Sequence, residues 1–246
     1  MKTRSIRLAT LFFVLSLIPV APASASDSAA RRLIAEIRAE LAPIENQIRH
    51  APFLDSLERG EVPLSLLRAF AGEQYNIIRS DLRSNAEMAS RFGATPGGPF
   101  FRDLVNGEAL ALGYILDFGR ALGMSEANLA AYEPRPRAQT YPSYVTSLAH
   151  YGTDADIAAS YLVNFAVFGE NTGRMAVALR NRYHLTAQDT AFFDFFASTD
   201  PAFEPAALAI IDAGLRGCAK ERDIKRSARL LQDYEKDFWD AVAQQP

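Results

Sequence analysis

Apolar residues recur along most of this chain at intervals of three and four positions, which is the spacing of one face of an α-helix. The longest run lies at 64–89, where the pattern predicts a single amphipathic helix of about seven or eight turns. No segment shows the alternation of apolar and polar residues that is typical of a half-buried β-strand. The pattern therefore predicts an all-α protein.

Glycine and proline divide the pattern into separate helices with short connections. Pro63 lies where the longest helix should begin, and the segment ATPGGP at 94–99 should end it. A second proline-rich segment, EPRPRAQTYP at 133–142, predicts a loop. Long helices with such short connections predict one up-and-down bundle rather than two domains. Besides the longest one, helices are expected at about 28–48, 53–59, 100–122, 125–132, 142–151, 154–183, 187–198, 201–216 and 220–243.

The segment 1–25 differs in composition from the rest and predicts a secretory signal peptide. A basic start with Lys2 and Arg7 precedes an apolar run and the small-residue segment at 23–25. The apolar run is shorter than the roughly 20 residues of a membrane-spanning helix, so a retained anchor is the less favoured alternative. The sequence therefore predicts a single domain at 26–246 that is secreted or periplasmic and has no membrane segment after cleavage.

The charge and the cysteine content of the chain further limit the class of protein that it can belong to. The whole chain has a formal net charge of −3, and removal of the three basic residues of the leader makes it −6. A nucleic-acid-binding surface would need clustered positive charge, so nucleic acid is not an expected partner. Cys218 is the only cysteine, so an internal disulfide cannot form and the domain must be stabilised by packing. At a predicted helix junction, this thiol is interpreted as structural or incidental.

Glu73, Glu170 and Glu235 each lie in a row of mostly apolar or small residues on a predicted long helix. A carboxylate in such a row is costly to bury unless it is paired, so a buried acid beside a pocket is a candidate functional group. A structural ion pair with an arginine, or partial exposure to water, explains the same pattern equally well. With these alternatives open, we hypothesise that the three carboxylates line one pocket. Gly169 predicts the close approach of another helix or of a ligand.

Four segments resemble, in this order, the TenA and PqqC group of heme-oxygenase-like helical bundles. They are HAPFLDSLERGEVPLSLLRAFAGEQY at 50–75, YPSYVTSLAHYG at 141–152, FGENTG at 168–173 and YEKDFWDA at 234–241. Together with the helix lengths, the resemblance covers nearly the whole chain after the leader. It implies an up-and-down bundle of about seven main helices around a central pocket, and it makes a homo-oligomer an expectation.

TenA proteins act as thiaminases or aminopyrimidine hydrolases. The resemblance places Glu235 at their catalytic glutamate and Tyr144 at a tyrosine that holds the pyrimidine. Three other positions depart from the family pattern: the catalytic aspartate falls at Gln74, the nucleophilic cysteine near Ala166, and a supporting tyrosine near Glu170. Thiaminase chemistry through a thiol is therefore not expected.

A sister group holds two irons in the same bundle, and the resemblance places Glu73 and Glu170 at its two glutamate ligands. The positions of its histidine ligands are occupied here by Ser80, Phe196 and Phe203. Without imidazole donors the affinity for iron would fall sharply, so no metal or cofactor is predicted. Asp200, which matches a ligand aspartate, precedes Pro201 and is interpreted instead as a helix N-cap. The chain's own histidines lie at predicted turns or helix ends: His50, His150 and His184.

These observations predict a pocket for a small, uncharged or cationic organic molecule such as an amino-heteroaromatic compound. The carboxylates would accept hydrogen bonds from its N–H groups, and its ring would stack on Tyr75, Tyr144 and Trp239. If the protein is an enzyme, the expected reaction is hydrolysis of a C–N bond, with Glu235 as general acid and base and Glu170 activating the water. A non-catalytic binding protein that kept the fold is the alternative, and a carboxylate-rich metal oxidase is less favoured.

Overall fold

The computed structural model describes residues 28–198 and 200–244, so the predicted leader lies outside the described residues. Within them the regular structure is helical and there is no β-strand, as the hydrophobic pattern predicted. Seven of the helices in this part of the chain have 12 or more residues, which confirms a bundle of about seven main helices. The helices are α1 (Ala29–Arg49), α2 (Pro52–Arg59), α3 (Leu64–Arg91), α4 (Gly98–Ala121), α5 (Glu126–Ala130), α6 (Thr140–Tyr151), α7 (Asp154–Tyr183), α8 (Ala191–Ala197), α9 (Phe203–Arg216) and α10 (Glu221–Val242).

Helices α3 and α7 form the centre of the bundle. Every residue at 69–75 in α3 and at 155–164 in α7 is buried, so both helices are covered on all sides over these turns. A helix that is covered all round needs apolar or paired residues on each face. Helix α3 packs against α4 and α6, and α7 packs against α8, α9 and α10. The interior between these two groups is where polar residues on α3 and α7 can meet.

Aromatic packing joins the elements around the centre. The ring of Phe70 on α3 lies 5.7 Å from Phe53, 5.7 Å from Phe193 and 5.8 Å from Phe238, measured between ring centroids. These partners belong to α2, α8 and α10, so one side chain contacts three other helices. Aromatic pairs of this kind stabilise a core beyond the burial of their area. The free thiol of Cys218 is exposed in the turn between α9 and α10.

Two glycines allow other segments to approach the central helices closely. A Cβ atom at Gly72 would lie 2.3 Å from the ring of Tyr132, so this ring can rest on α3 only because the side chain is absent. A Cβ atom at Gly169 would lie 2.8 Å from the carbonyl oxygen of Phe196, at the end of α8. The close approach of another helix that was predicted at Gly169 is therefore present.

Two local expectations were wrong in detail. The helix expected at 187–198 begins only at Ala191, because Thr186 and Asp189 hydrogen-bond each other and hold a turn before it. Asp200 is not the N-cap of α9, which is Ala202. Its Oδ1 accepts a hydrogen bond of 2.8 Å from the Ala202 N–H and stabilises the turn that precedes the helix. None of the helices in the described ranges is long and apolar enough to span a bilayer.

Candidate functional site

Within the described residues, an interior cavity lies among α3, α4, α6, α7, α8 and α10. Its volume is about 30 Å³, counted as space for the centre of a water molecule, which is room for about two waters. One part of its wall is aromatic and includes Phe165, Phe168 and Phe196. The other part is polar and consists of Gln74, Asp81, Glu108, Tyr141, Asn164 and Glu235.

Glu235 projects from α10 into this cavity and is almost completely buried. One turn further along the helix, Trp239 Nε1 donates a hydrogen bond of 2.7 Å to Glu235 Oε1. Burial raises the pKa of Glu235 from 4.5 to about 7, while the hydrogen bond from Trp239 and a smaller contribution from Asn164 act in the opposite direction. Near neutral pH both protonation states are populated, which is the condition for general acid and base catalysis.

Asp81 on α3 and Glu108 on α4 add two more buried carboxyl groups to the same wall. Burial raises the pKa of Glu108 to about 8. Burial also raises the pKa of Asp81, and the neighbouring charges of Glu108 and then Glu235 raise it further. No lysine or arginine of the described residues forms an ion pair with Asp81 or Glu108. The cavity therefore concentrates acidic groups without a basic partner.

A chain of polar contacts leads from the cavity to the surface. Asn164 Nδ2 donates to Gln232 Oε1 at 2.9 Å, and Gln232 Nε2 donates to Glu45 Oε1 at 3.3 Å. Arg49 pairs with Glu45 at 3.4 Å and, through its Nε, with Glu170 Oε2 at 2.5 Å. Glu170 is the outer end of this chain, and 54% of its side chain is exposed.

Glu170 was expected to line the pocket, and the structure corrects this expectation. It is paired with Arg49 at the surface and does not contact the cavity, so it cannot activate a water molecule beside Glu235. Ala166, near which the resemblance implies a nucleophile, is also exposed, whereas the neighbouring Phe165 lines the cavity. The family position near 166 therefore offers no reactive group at this site.

Glu73 is buried but does not line the cavity either. Its Oε1 accepts hydrogen bonds from Tyr132 Oη at 2.8 Å and from Arg135, through N at 3.0 Å and Nε at 2.9 Å. Its Oε2 accepts a bond of 2.7 Å from Gln139 Nε2. The carboxylate thus fixes the segment at 132–139 to α3. Of the alternatives left open by the sequence, the ion pair with an arginine is the one that the structure contains.

The three aromatic residues expected to stack on a ligand lie outside the cavity. Trp239 is fully buried behind Glu235, where it serves as a hydrogen-bond donor. Tyr75 packs under the guanidinium group of Arg79, 5.3 Å from its ring centroid. Tyr144 is half-buried and packs against Tyr234 at 5.3 Å. The tyrosine that lines the cavity on the same helix as Tyr144 is Tyr141.

Four residues that line the cavity were not expected there from the sequence: Asp81, Glu108, Tyr141 and Asn164. A signal was present for Glu108, because it interrupts the buried row of α4 that contains Phe101, Ala111, Ile115 and Phe118. For Asp81 the signal was its spacing on α3. It follows Gln74, Ile77 and Ile78 at intervals of three and four residues, which places it on the same buried face of the helix. Within the described residues, no group of three or more histidine, cysteine, aspartate or glutamate side chains is placed to hold a metal ion.

Comparison with protein families matches residues 38–245 to the TENA/THI-4/PQQC family. Comparison with curated proteins gives no match. Among solved structures, a TenA homologue from P. horikoshii OT3 superposes with a TM-score of 0.70 at 16% identity, covering 87% of this chain and 99% of that chain.

Two further solved structures show the same fold. A domain of unknown function with a heme oxygenase-like fold, from Shewanella denitrificans OS217, has a TM-score of 0.68 at 16% identity and covers 85% of this chain and 91% of that chain. A putative TenA-like thiaminase from Sulfolobus solfataricus P2 has a TM-score of 0.60 at 14% identity. This match covers 88% of this chain and 96% of that chain. At these identities the likeness establishes the heme-oxygenase-like fold.

Proposed function

The chain belongs to the TENA/THI-4/PQQC family, and from this premise we propose that it binds a small amino-heteroaromatic molecule in the interior cavity and hydrolyses a C–N bond of it. The observation that carries the proposal is Glu235, a buried carboxyl group in the cavity wall whose pKa is about 7 and whose orientation is fixed by Trp239. A thiamine-related substrate is supported by one structural neighbour, which is described as a putative TenA-like thiaminase.

In the proposed step, the carboxylate of Glu235 accepts a proton from a water molecule whose oxygen attacks the carbon of the C–N bond. The protonated Glu235 then donates that proton to the departing nitrogen as the C–N bond breaks. The carbon gains a hydroxyl group, the nitrogen leaves as ammonia or an amine, and Glu235 returns to its starting state. One group with a pKa near neutrality can perform both transfers.

A heteroaromatic ring needs more room than the cavity of about 30 Å³ provides. Phe165 and Phe196 are the half-buried members of its aromatic wall, so we propose that the ring enters by displacing them. The ring of Phe196 packs edge-on against Phe168, with centroids 5.1 Å apart. A flat ligand would replace such contacts with its own, which limits the free energy that opening costs.

The test is turnover of a panel of aminopyrimidines and thiamine fragments by the protein without its leader, with the released amine and the hydroxylated product measured by mass spectrometry. We expect one class of compound to be hydrolysed, and Glu235→Gln to lower kcat/KM by about 100-fold or more. The matched control is Glu170→Gln, which changes a surface carboxylate and should leave turnover unchanged. Full activity of Glu235→Gln would overturn the proposed role.

A second candidate function is non-catalytic binding in the same cavity. It is favoured by the pairing of Glu73 with Arg135 and of Glu170 with Arg49, since two of the three carboxylates singled out from the sequence have a structural role. Saturable binding of a panel member, without turnover of any of them at any pH, would select this candidate.

We also propose that the protein acts after export, in the periplasm or the medium, and that it forms a homo-oligomer. The support for export is the basic and apolar leader at 1–25, and the support for an oligomer is the family resemblance. Fractionation of the native host tests the first proposal. Recovery from the cytoplasm with Met1 intact would contradict it, whereas a mature start near Ser26 would support it. Light scattering of the protein without its leader measures the molar mass and so tests the proposed homo-oligomer.

A further inference from the structure

We infer that Asp81 and Glu108 form the recognition site for a cationic nitrogen group, so that the cavity takes an organic cation whose N–H groups donate hydrogen bonds to these two carboxyl groups. The ligand class is a flat molecule with an amidinium, guanidinium or protonated amino group at one end. The inference deepens the proposed function and rests on it for the location of the ligand, but it concerns binding and does not depend on turnover.

The first support is an unsatisfied acceptor. Asp81 is only 6% exposed and lines the cavity, and its buried Oδ1 has no hydrogen-bond partner among the described residues. Buried polar atoms in folded proteins are nearly always paired, because leaving one without water or a donor costs free energy. Glu108, which is 7% exposed, contributes a second carboxyl group to the same wall. A hydrogen-bond donor supplied by a ligand would satisfy the Oδ1 of Asp81.

The second support is that no cationic side chain in the described part of the chain forms an ion pair with Asp81 or Glu108. The titratable groups that face it are Asp81 from α3, Glu108 from α4, Tyr141 from α6, Tyr161 from α7 and Glu235 from α10. All five are acids, and burial is the largest cause of the raised pKa of each. Burial therefore favours the protonated, neutral form of each of these groups over the charged form. A bound cation would favour the ionised carboxylates and release those protons.

The shape of the cavity indicates an organic cation. The described residues offer no group of three or more donors placed for a metal ion. The whole cavity has room for a group the size of about two water molecules, which suits an amino or amidinium head, and the ring attached to it needs the displacement of Phe165 and Phe196 proposed above. The remaining wall contains Phe165, Phe168 and Phe196, which suit the flat apolar part of the same ligand.

The experiment compares benzamidine, a cation, with benzamide, a neutral molecule of nearly the same shape. Calorimetric titrations are run in two buffers of different ionisation enthalpy, at about pH 6 and about pH 9, on the mature protein and on Phe196→Ala, which widens the entrance. We expect benzamidine to bind at least about tenfold more tightly than benzamide, with proton release at pH 6 that decreases at pH 9, where Glu108 has already lost its proton.

The variants Asp81→Asn and Glu108→Gln keep the shape of each side chain and should remove the preference for the cation, while the surface control Glu170→Gln should keep it. Equal affinity for the two compounds, or cation binding without proton release at pH 6, would overturn the inference. So would unfolding of Asp81→Asn, since it would make that carboxyl group structural. Cation-selective binding without hydrolysis of any substrate would contradict the enzyme function alone, so the two failures are distinguishable.

Discussion

The fully buried carboxylate of Glu73 forms an ion pair with the partly buried guanidinium group of Arg135, with Oε1 and Nε 2.9 Å apart. The pair joins the middle of α3 to the segment at 132–139. Arg135 also donates hydrogen bonds to the carbonyl oxygens of Ala241 and Gln244. Arg135 therefore connects the centre of the bundle, the segment before α6 and the end of α10. A residue that resembles a functional acid in the sequence acts here as a structural link.

Replacing Glu73 tests this role directly. Glu73→Gln keeps the shape of the side chain but leaves the partly buried charge of Arg135 without its counterion, so the free energy of unfolding should fall by about 3 kcal/mol or more. Chemical denaturation of the chain without residues 1–25 measures the change. The matched control, Glu170→Gln, removes the carboxylate of an exposed pair and should cost less than about 1 kcal/mol. Unchanged stability together with weaker ligand binding would return Glu73 to the binding site.

A pair of glycine variants tests how the same segment rests on α3. Gly72→Ala would place a Cβ atom 2.3 Å from the ring of Tyr132, so the ring must move and the variant should lose about 1–3 kcal/mol of stability. Gly113→Ala is the control, because a Cβ atom there meets nothing within 4 Å and the helix should gain about 0.5–1 kcal/mol. Equal effects of the two variants in thermal unfolding would show that Tyr132 is not tightly docked.

The course of the helices was predictable because burial of one face imposes a regular spacing on apolar residues. The helix expected at 154–183 is α7 at Asp154–Tyr183. The proline-rich segment at 133–142 was predicted as a loop, but it contains a 3₁₀ helix at Pro136–Gln139 and α6 begins within it. Its ordering depends on Glu73, which is distant in the sequence, and local patterns cannot report such a contact.

The site was less predictable, because spacing indicates that a side chain is buried but not what surrounds it. Glu73 and Gln74 are neighbours on α3, yet Gln74 lines the cavity whereas Glu73 faces Arg135. On α10, Glu235 lines the cavity, whereas Trp239, one turn further along, lies behind it. Only the relative rotation of packed helices decides between these outcomes.

The hydrogen bond from Trp239 to Glu235 predicts a change in pH dependence. Trp239→Phe keeps most of the ring and removes the N–H donor that favours the carboxylate, so the pKa of Glu235 should rise above about 7. The profile of kcat/KM against pH, or a carboxyl carbon NMR titration, should move upward accordingly. Substitution of Trp239 by Phe with no movement of either titration would contradict the assignment of the ionisation to Glu235.

The buried acids of the cavity predict that stability decreases as the pH rises. Glu235 and Glu108 have an ordinary pKa of 4.5 in the unfolded chain and values of about 7 and about 8 in the folded protein. Between these limits the folded state holds more protons than the unfolded state, so each group lowers the free energy of unfolding by up to about 1.4 kcal/mol per pH unit. Urea denaturation at several pH values between about 5 and 9 measures this slope.

Glu108→Gln separates this effect from other sources of pH dependence. The amide cannot ionise, so the free energy of unfolding of the variant should lose the part of its decrease with pH that extends up to about pH 8. At about pH 9 the variant should therefore be more stable than the wild type. Paired surface carboxylates act in the opposite direction and at lower pH, since Arg174 lowers the pKa of Glu58 below 4.5. Glu58→Gln is therefore the matched control and should leave the slope above pH 5 unchanged. A wild-type slope that persists in Glu108→Gln would show that Glu108 ionises without a penalty and that the cavity is hydrated.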